Sequence, residues 1–115
     1  MKFLYTAFAL IITGLSLSVY AHSNLVSSVP DDGAQIKEAT ELQLVFSTPI
    51  KLTAMKLVNS AGAEMALGSI PADMAESHTI ALRETLAPGK YVASWRSISS
   101  DSHVVDGNLR FIVID

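Results

Sequence analysis

Asp101 and His103 are separated by one residue, in the stretch Ser99-Ser100-Asp101-Ser102-His103. In an extended chain, residues two apart project to the same side, so this carboxylate and this imidazole can aim at one point. One oxygen and one nitrogen donor at that point suit a metal ion. An Asp in a serine-rich stretch also commonly initiates a turn through its own side-chain hydrogen bonds, and that alternative stays open.

A third candidate donor, His22, follows an apolar segment at the start of the chain. Residues 1–21 carry a positive charge at Lys2, continue through an apolar run and end in Val19-Tyr20-Ala21, which is typical of a secretory signal peptide. We therefore expect cleavage after Ala21 and a mature domain of residues 22–115. The alternative is an uncleaved anchor, because about 20 apolar residues could span a bilayer. The cleavage pattern, with no Lys or Arg cluster after it, favours export.

Cleavage after Ala21 would leave His22 with a free α-amine. The amine and the imidazole Nδ1 could then close a six-membered chelate on one ion. Two nitrogens from His22, one from His103 and one oxygen from Asp101 match the tetragonal preference of Cu(II). A terminal His without any function is the alternative when His22 is considered alone.

The remaining histidine and the methionines have no partners at metal-ligand spacing. His78 begins a predicted strand and is expected at the surface or at a strand edge. Met55, Met65 and Met74 lie nine or ten residues apart and are expected to fill gaps in the core. Soft thioether ligands are thus not clustered, and the sequence gives no support for a Cu(I) site.

Composition restricts the class of protein. The 115 residues suffice for one domain, and the net charge of −3 gives no reason to expect binding to nucleic acid. The absence of Cys excludes thiolate metal sites and disulfides, so the core alone must hold the domain together. We find no motif for a catalytic nucleophile, a phosphate loop or paired carboxylates, and we expect no enzyme.

Short segments with alternating polar and apolar residues predict an all-β fold. Ser47-Thr48-Pro49 is predicted to break the alternation between two of them, and Tyr91 resembles the tyrosine at a sandwich corner. With six or seven short strands, the fitting class is an antiparallel Greek-key sandwich, immunoglobulin-like in architecture. The predicted strands are 25–29, 41–46, 52–58, 78–82, 90–98 and 107–114.

The order and spacing of several motifs resemble the CopC family of exported copper-binding proteins. The motifs are His22 with Leu25-x-x-Ser28-x-Pro30, then Leu44-x-Phe46-Ser47-x-Pro49, then Leu86-x-Pro88-Gly89-x-Tyr91-x-x-x-Trp95-Arg96, then Ser99-x-Asp101-x-His103 and Gly107. This resemblance implies a seven-stranded β-barrel or sandwich in the bacterial periplasm that binds Cu(II). It assigns the ligand roles to His22, Asp101 and His103, and it implies an inner-membrane CopD-type protein as partner.

The chain departs from the family pattern at three places. It lacks the methionine run that forms a Cu(I) site in the best-known members. Thr48 stands where an acidic residue often follows the Phe-Ser pair, and Val104 stands where Pro commonly follows the His of Asp-x-His. None of these changes a proposed Cu(II) ligand.

The sequence therefore predicts a periplasmic Cu(II)-binding protein for copper resistance, buffering or delivery, whose mature domain does not insert into the membrane. The first alternative is a metal-independent immunoglobulin-like domain that binds another exported protein. Oxidative copper catalysis ranks third, because the carboxylate of Asp101 is expected to occupy the fourth in-plane position.

Overall fold

The computed structural model describes residues 24–115, which form six strands and no helix. The predicted signal peptide and His22 lie outside the described residues. The described part of the chain has no apolar helix of membrane-spanning length. The strands are β1 (Leu25–Val29), β2 (Ala34–Ile36), β3 (Glu41–Asn59), β4 (Ala75–Ala81), β5 (Gly89–Ser99) and β6 (Val104–Val113).

Strand β3 pairs with strands on both sides of the fold. Its first half, from Glu41 to Val45, pairs antiparallel with β4 and, over part of this length, with β1. Its second half, from Ile50 to Asn59, pairs antiparallel with β5, which in turn pairs with β6. The sheet therefore curls around one core, and the all-β prediction is confirmed.

The predicted break at Ser47-Thr48-Pro49 is wrong, because β3 continues through these residues. The pairing with β4 shifts register between Val45 and Ile50, so the segment bulges out of the ladder. Proline lacks an amide hydrogen and is tolerated at such a bulge. Two predicted strands are therefore one long strand.

The short strand β2 was not predicted, and it pairs parallel with β6. Its three residues are too few to show an alternating pattern. The sheet is thus antiparallel except for this pair. The described residues form six strands, which agrees with the six or seven predicted from the pattern, whereas the resemblance implied seven.

A bulge in β3 keeps apolar side chains directed toward the core along the whole strand. Leu44 and Leu52, at even positions, are buried, whereas Leu57, at an odd position, is buried further along. The register with β5 shifts between Leu52 and Ala54, so one additional residue changes which side chains face the core. The hydroxyl of Thr53 in this bulge donates a hydrogen bond to Arg96 O over 3.2 Å.

Aromatic residues fill the centre of the core. The hydroxyl of Tyr91 donates to Ala87 O over 2.6 Å, which confirms the predicted tyrosine corner. Phe46, from the first half of β3, packs edge-on against Trp95 of β5 with ring centroids 6.1 Å apart. This contact joins the two sides of the curled sheet.

His78 was predicted at the surface or at a strand edge. It lies within β4 with only 1% of the residue exposed, so the surface prediction is wrong. Its Nε2 lies 2.9 Å from both Ile50 O and Ala75 O. Carbonyl oxygens only accept, so Nε2 carries the proton and donates. The buried Nδ1 has no hydrogen-bond partner among residues 24–115. His78 thus bridges β3 and β4 immediately beyond the bulge, where the regular ladder is interrupted.

The methionine prediction is confirmed in part. Met55 and Met65 are partly buried and pack against the core. Met74, in contrast, is 45% exposed and lies just before β4.

Gly107 allows Trp95 to pack directly across the β5–β6 pair. The two residues are register partners, and a Cβ built on Gly107 would lie 2.5 Å from Trp95 Cζ2. We expect Gly107→Ala to lower the free energy of unfolding by roughly 1–3 kcal/mol through overpacking, as measured by urea denaturation. Gly68→Ala is the control, because its Cβ would approach only to 3.3 Å from Ala81 Cβ. Equal losses in both variants would contradict the proposed clash.

Candidate metal centre

Asp101 and His103 lie in the hairpin between β5, which ends at Ser99, and β6, which begins at Val104. The amide of Ser102 donates to Ser99 O over 2.9 Å, and the amide of Ser99 donates to His103 O over 3.0 Å. Ser102 has φ of 70°, in the left-handed region. The four residues between the two strands thus form a tight turn that contains a left-handed residue. The expectation of an extended chain at 99–103 is therefore wrong, and the turn alternative is correct.

The turn nevertheless brings the two predicted ligands together. His103 Nδ1 lies 2.9 Å from Asp101 Oδ2, with 78% and 65% of the two side chains exposed, respectively. An ionised carboxylate only accepts, so Nδ1 carries the proton in this contact. Two adjacent ligands at about 2.0 Å from a tetragonal ion are about 2.8 Å apart, so this spacing fits one edge of such a site.

The hydroxyl of Ser99 donates a short hydrogen bond to Asp101 Oδ1. This bond, followed by the hydrogen bond and charge of His103, holds the pKa of Asp101 below its usual value against the opposing effect of desolvation. The carboxylate is therefore ionised over the whole neutral and mildly acidic range. Sequence reasoning missed this contact, because only the turn geometry places the two side chains together.

An open depression on the surface links this hairpin to the first described residue. Asn24, Thr48, Asp101, His103 and Val104 are among the residues that line it. Asn24 is held there because its carbonyl accepts a hydrogen bond from the amide of Ser47 over 2.9 Å. His22, the third predicted ligand, lies outside the described residues. Within residues 24–115, no group of three or more His, Cys, Asp or Glu residues could hold a metal ion.

An exposed ion pair lies further along the same hairpin. Arg96 donates from Nε to Asp106 Oδ1 over 2.8 Å and from a terminal nitrogen to Oδ2 over 3.1 Å. The hydrogen bond with Asp106 raises the pKa of Arg96. Asp106 and Gly107 both lie within β6. The pair connects register partners of β5 and β6, so it supports the alignment of the hairpin.

Fold and geometry together define a small all-β domain with an exposed carboxylate–imidazole pair on a hairpin. The CopC domain matches residues 25–114. The chain belongs to the CopC family.

Three individual proteins are similar to this chain. The chain is 32% identical over 117 residues to copper resistance protein C of Escherichia coli, with 90% of each chain covered. It is similar to the crystal structure of PcoC, a methionine-rich copper resistance protein from Escherichia coli, with 33% identity and a TM-score of 0.67 over 80% of this chain and 98% of that one. It is 26% identical to copper transport protein CutJ of Bacillus subtilis (strain 168), covering 82% of this chain and 18% of CutJ.

The left-handed residue of the hairpin gives a stability prediction. An L-residue in this region is disfavoured relative to glycine, so we expect Ser102→Gly to raise the free energy of unfolding by about 0.5–1 kcal/mol. The matched control is Ser100→Gly in the same loop, where φ is not positive and glycine only adds freedom to the unfolded chain. Chemical denaturation of the two variants measures the difference. A more stable Ser100→Gly than Ser102→Gly would contradict this explanation.

Proposed function

We propose that the protein is a periplasmic Cu(II)-binding protein that serves copper resistance, buffering or delivery. Its single mononuclear site consists of the amine and imidazole of His22, the carboxylate of Asp101 and the imidazole of His103. The observation that carries the proposal is the 2.9 Å contact between His103 Nδ1 and Asp101 Oδ2 in a depression shared with Asn24.

The position of Asn24 supports the participation of His22. Two extended residues span at most about 7 Å, and the side chain of His22 adds further reach. Asn24 is tied to Ser47 and lines the depression that contains Asp101 and His103. This shared depression supports the inclusion of His22, two residues before Asn24, in the proposed site.

The donor set supports Cu(II) as the bound ion. Three nitrogens and one carboxylate oxygen match its tetragonal preference, and Cu(II) binds such donors more tightly than Ni(II) or Zn(II). The chain has no Cys to supply thiolates, and its methionines are spread over the core and the surface. Copper is here the cargo of the protein, and we propose binding rather than catalysis.

The family supports both the location and the partner. Residues 1–21 resemble a signal peptide, which is consistent with a periplasmic domain. CutJ, a copper transport protein, is similar to this chain over only 18% of its own length. A domain of this kind can therefore form a small part of a larger transport protein, which supports an inner-membrane CopD-type partner for this chain.

The decisive experiment compares the protein beginning at His22 with the same protein carrying one additional residue before His22. We expect one Cu(II) per chain and a tetragonal, nitrogen-rich electron paramagnetic resonance spectrum from the first sample only. The additional residue converts the amine into an amide, so the chelate is lost and the affinity falls severely.

His103→Ala is the matched variant on the hairpin, because 78% of the His103 side chain is exposed and its loss leaves the core intact. We expect it to weaken copper binding while the unfolding transition is retained. Equal copper binding by all three proteins would overturn the site. Absence of tight binding in the protein beginning at His22 would instead favour the metal-independent interaction domain.

Copper affinity should also fall as the pH is lowered from 8 to 5. Each nitrogen ligand must lose its proton before it binds, so protons compete with the ion. The Ser99 hydrogen bond holds the pKa of Asp101 below its usual value, so this carboxylate is ionised throughout and does not cause the loss. Titration against a chelator of known pH dependence measures the profile, and a flat profile would contradict a nitrogen-rich site.

A further inference from the structure

The side chain of Ser99 lies between the two described ligands. Its Oγ donates to Asp101 Oδ1, and it is 3.3 Å from the amide nitrogen of His103, which donates to it. The carbonyl oxygen of His103 is also 3.4 Å from Oγ. A hydroxyl has one proton, and the charged carboxylate is the stronger acceptor. The proton therefore points to Asp101, while the amide of His103 occupies a lone pair of the hydroxyl.

This arrangement makes the two oxygens of Asp101 inequivalent. Oδ1 is held by the Ser99 hydroxyl, while Oδ2 faces His103 Nδ1 at 2.9 Å. Because both side chains are largely exposed, packing alone does not fix the conformation of the Asp101 side chain. The hydrogen bond from Ser99 provides this restraint.

We propose that Ser99 is a positioning residue that makes Asp101 a one-oxygen ligand, with Oδ2 directed to the ion and Oδ1 retained by the hydroxyl. This inference rests on the proposed function and extends it to a residue that does not contact the ion. A tetragonal site has room for one in-plane oxygen beside the three nitrogens, so a carboxylate held by its other oxygen is already prepared to bind. Groups that orient ligands in this way typically contribute 10–100-fold to metal affinity.

The contribution of Ser99 to the fold can be separated from its proposed effect on the position of Asp101. The hairpin is closed by the backbone amide and carbonyl of Ser99, and both are retained when the side chain is shortened. Among residues 24–115, the hydroxyl makes hydrogen bonds only to Asp101 and to the backbone of His103. Ser99→Ala should therefore leave the strands paired and release only the carboxylate.

The first test needs no metal. We expect NMR couplings of the Asp101 β-protons to report one dominant χ1 rotamer in the metal-free wild type and an average over several rotamers in Ser99→Ala. Ser99→Thr keeps the hydroxyl and should restore the single rotamer. Ser100→Ala is the matched control, because it removes a hydroxyl from the same loop that makes no hydrogen bond within residues 24–115. An unchanged Asp101 rotamer in Ser99→Ala would overturn the proposal.

The second test measures Cu(II) affinity by chelator competition for the same four proteins, each beginning at His22. We expect Ser99→Ala to bind about 10–100-fold more weakly. Ser99→Thr and Ser100→Ala should stay close to the wild type. Electron paramagnetic resonance should show that Ser99→Ala retains the nitrogen ligands, with changed parameters for the oxygen position.

The outcomes separate this inference from the proposed function. If the wild type binds Cu(II) tightly and Ser99→Ala binds equally well, the positioning role fails and the copper site stands. If Asp101→Ala binds as tightly as the wild type, the proposed site itself is wrong. If Ser99→Ala and Ser100→Ala lose affinity equally, the effect belongs to the loop as a whole and the assignment to Ser99 is overturned.

Discussion

The course of strand β3 is the constraint on which the rest of the fold depends. Its first half pairs with β1 and β4, its second half pairs with β5, and its inward side chains belong to one core throughout. Two irregularities make this possible. The segment between Val45 and Ile50 leaves the ladder with β4, and the bulge at Thr53 changes which residues face inward. Without the second irregularity, strict alternation would direct Leu57 outward.

The position of the candidate site depends on the packing of this core. Trp95 packs against Phe46 on one side and over Gly107 on the other, so the β5–β6 pair is fixed against the first half of β3. The pairing of β5 and β6 then continues to Ile98 and Val104, immediately before the loop. On the opposite side, the bulge of β3 supplies Ser47, which holds Asn24. Both walls of the depression therefore depend on apolar packing, in a chain that has no disulfide to replace it.

The sequence predicted most strands, and the proximity of Asp101 and His103, because these features depend on local interactions. Alternation located Leu42, Leu44 and Phe46 correctly in the core, and the Asp-x-His spacing identified a pair that lies in contact. The reason given for that contact was incorrect, since a turn rather than an extended strand brings the side chains together. Two backbone geometries can therefore lead to the same contact between these two side chains.

The wrong predictions concern features that depend on residues far away in the sequence. His78 is buried because the carbonyls of Ile50 and Ala75 accept from its ring, and nothing near it in the sequence indicates that bridge. The parallel partner of β2 likewise lies more than 70 residues further along the chain, at Phe111 to Val113. Pro49 is compatible with β3 only because the ladder with β4 opens beside it.

The contact between Asp101 and His103 also bears on how the proposed site would exchange its ion. The two side chains face each other through one proton, so an ion bound by the proposed site would replace that proton with little rearrangement of the hairpin. Both side chains are largely exposed, which gives an incoming ligand direct access. In the proposed site, the remaining donors come from a single residue at the start of the mature chain. Copper could then pass to a partner stepwise, with one half of the site releasing before the other, and such a path suits a carrier better than a permanent store.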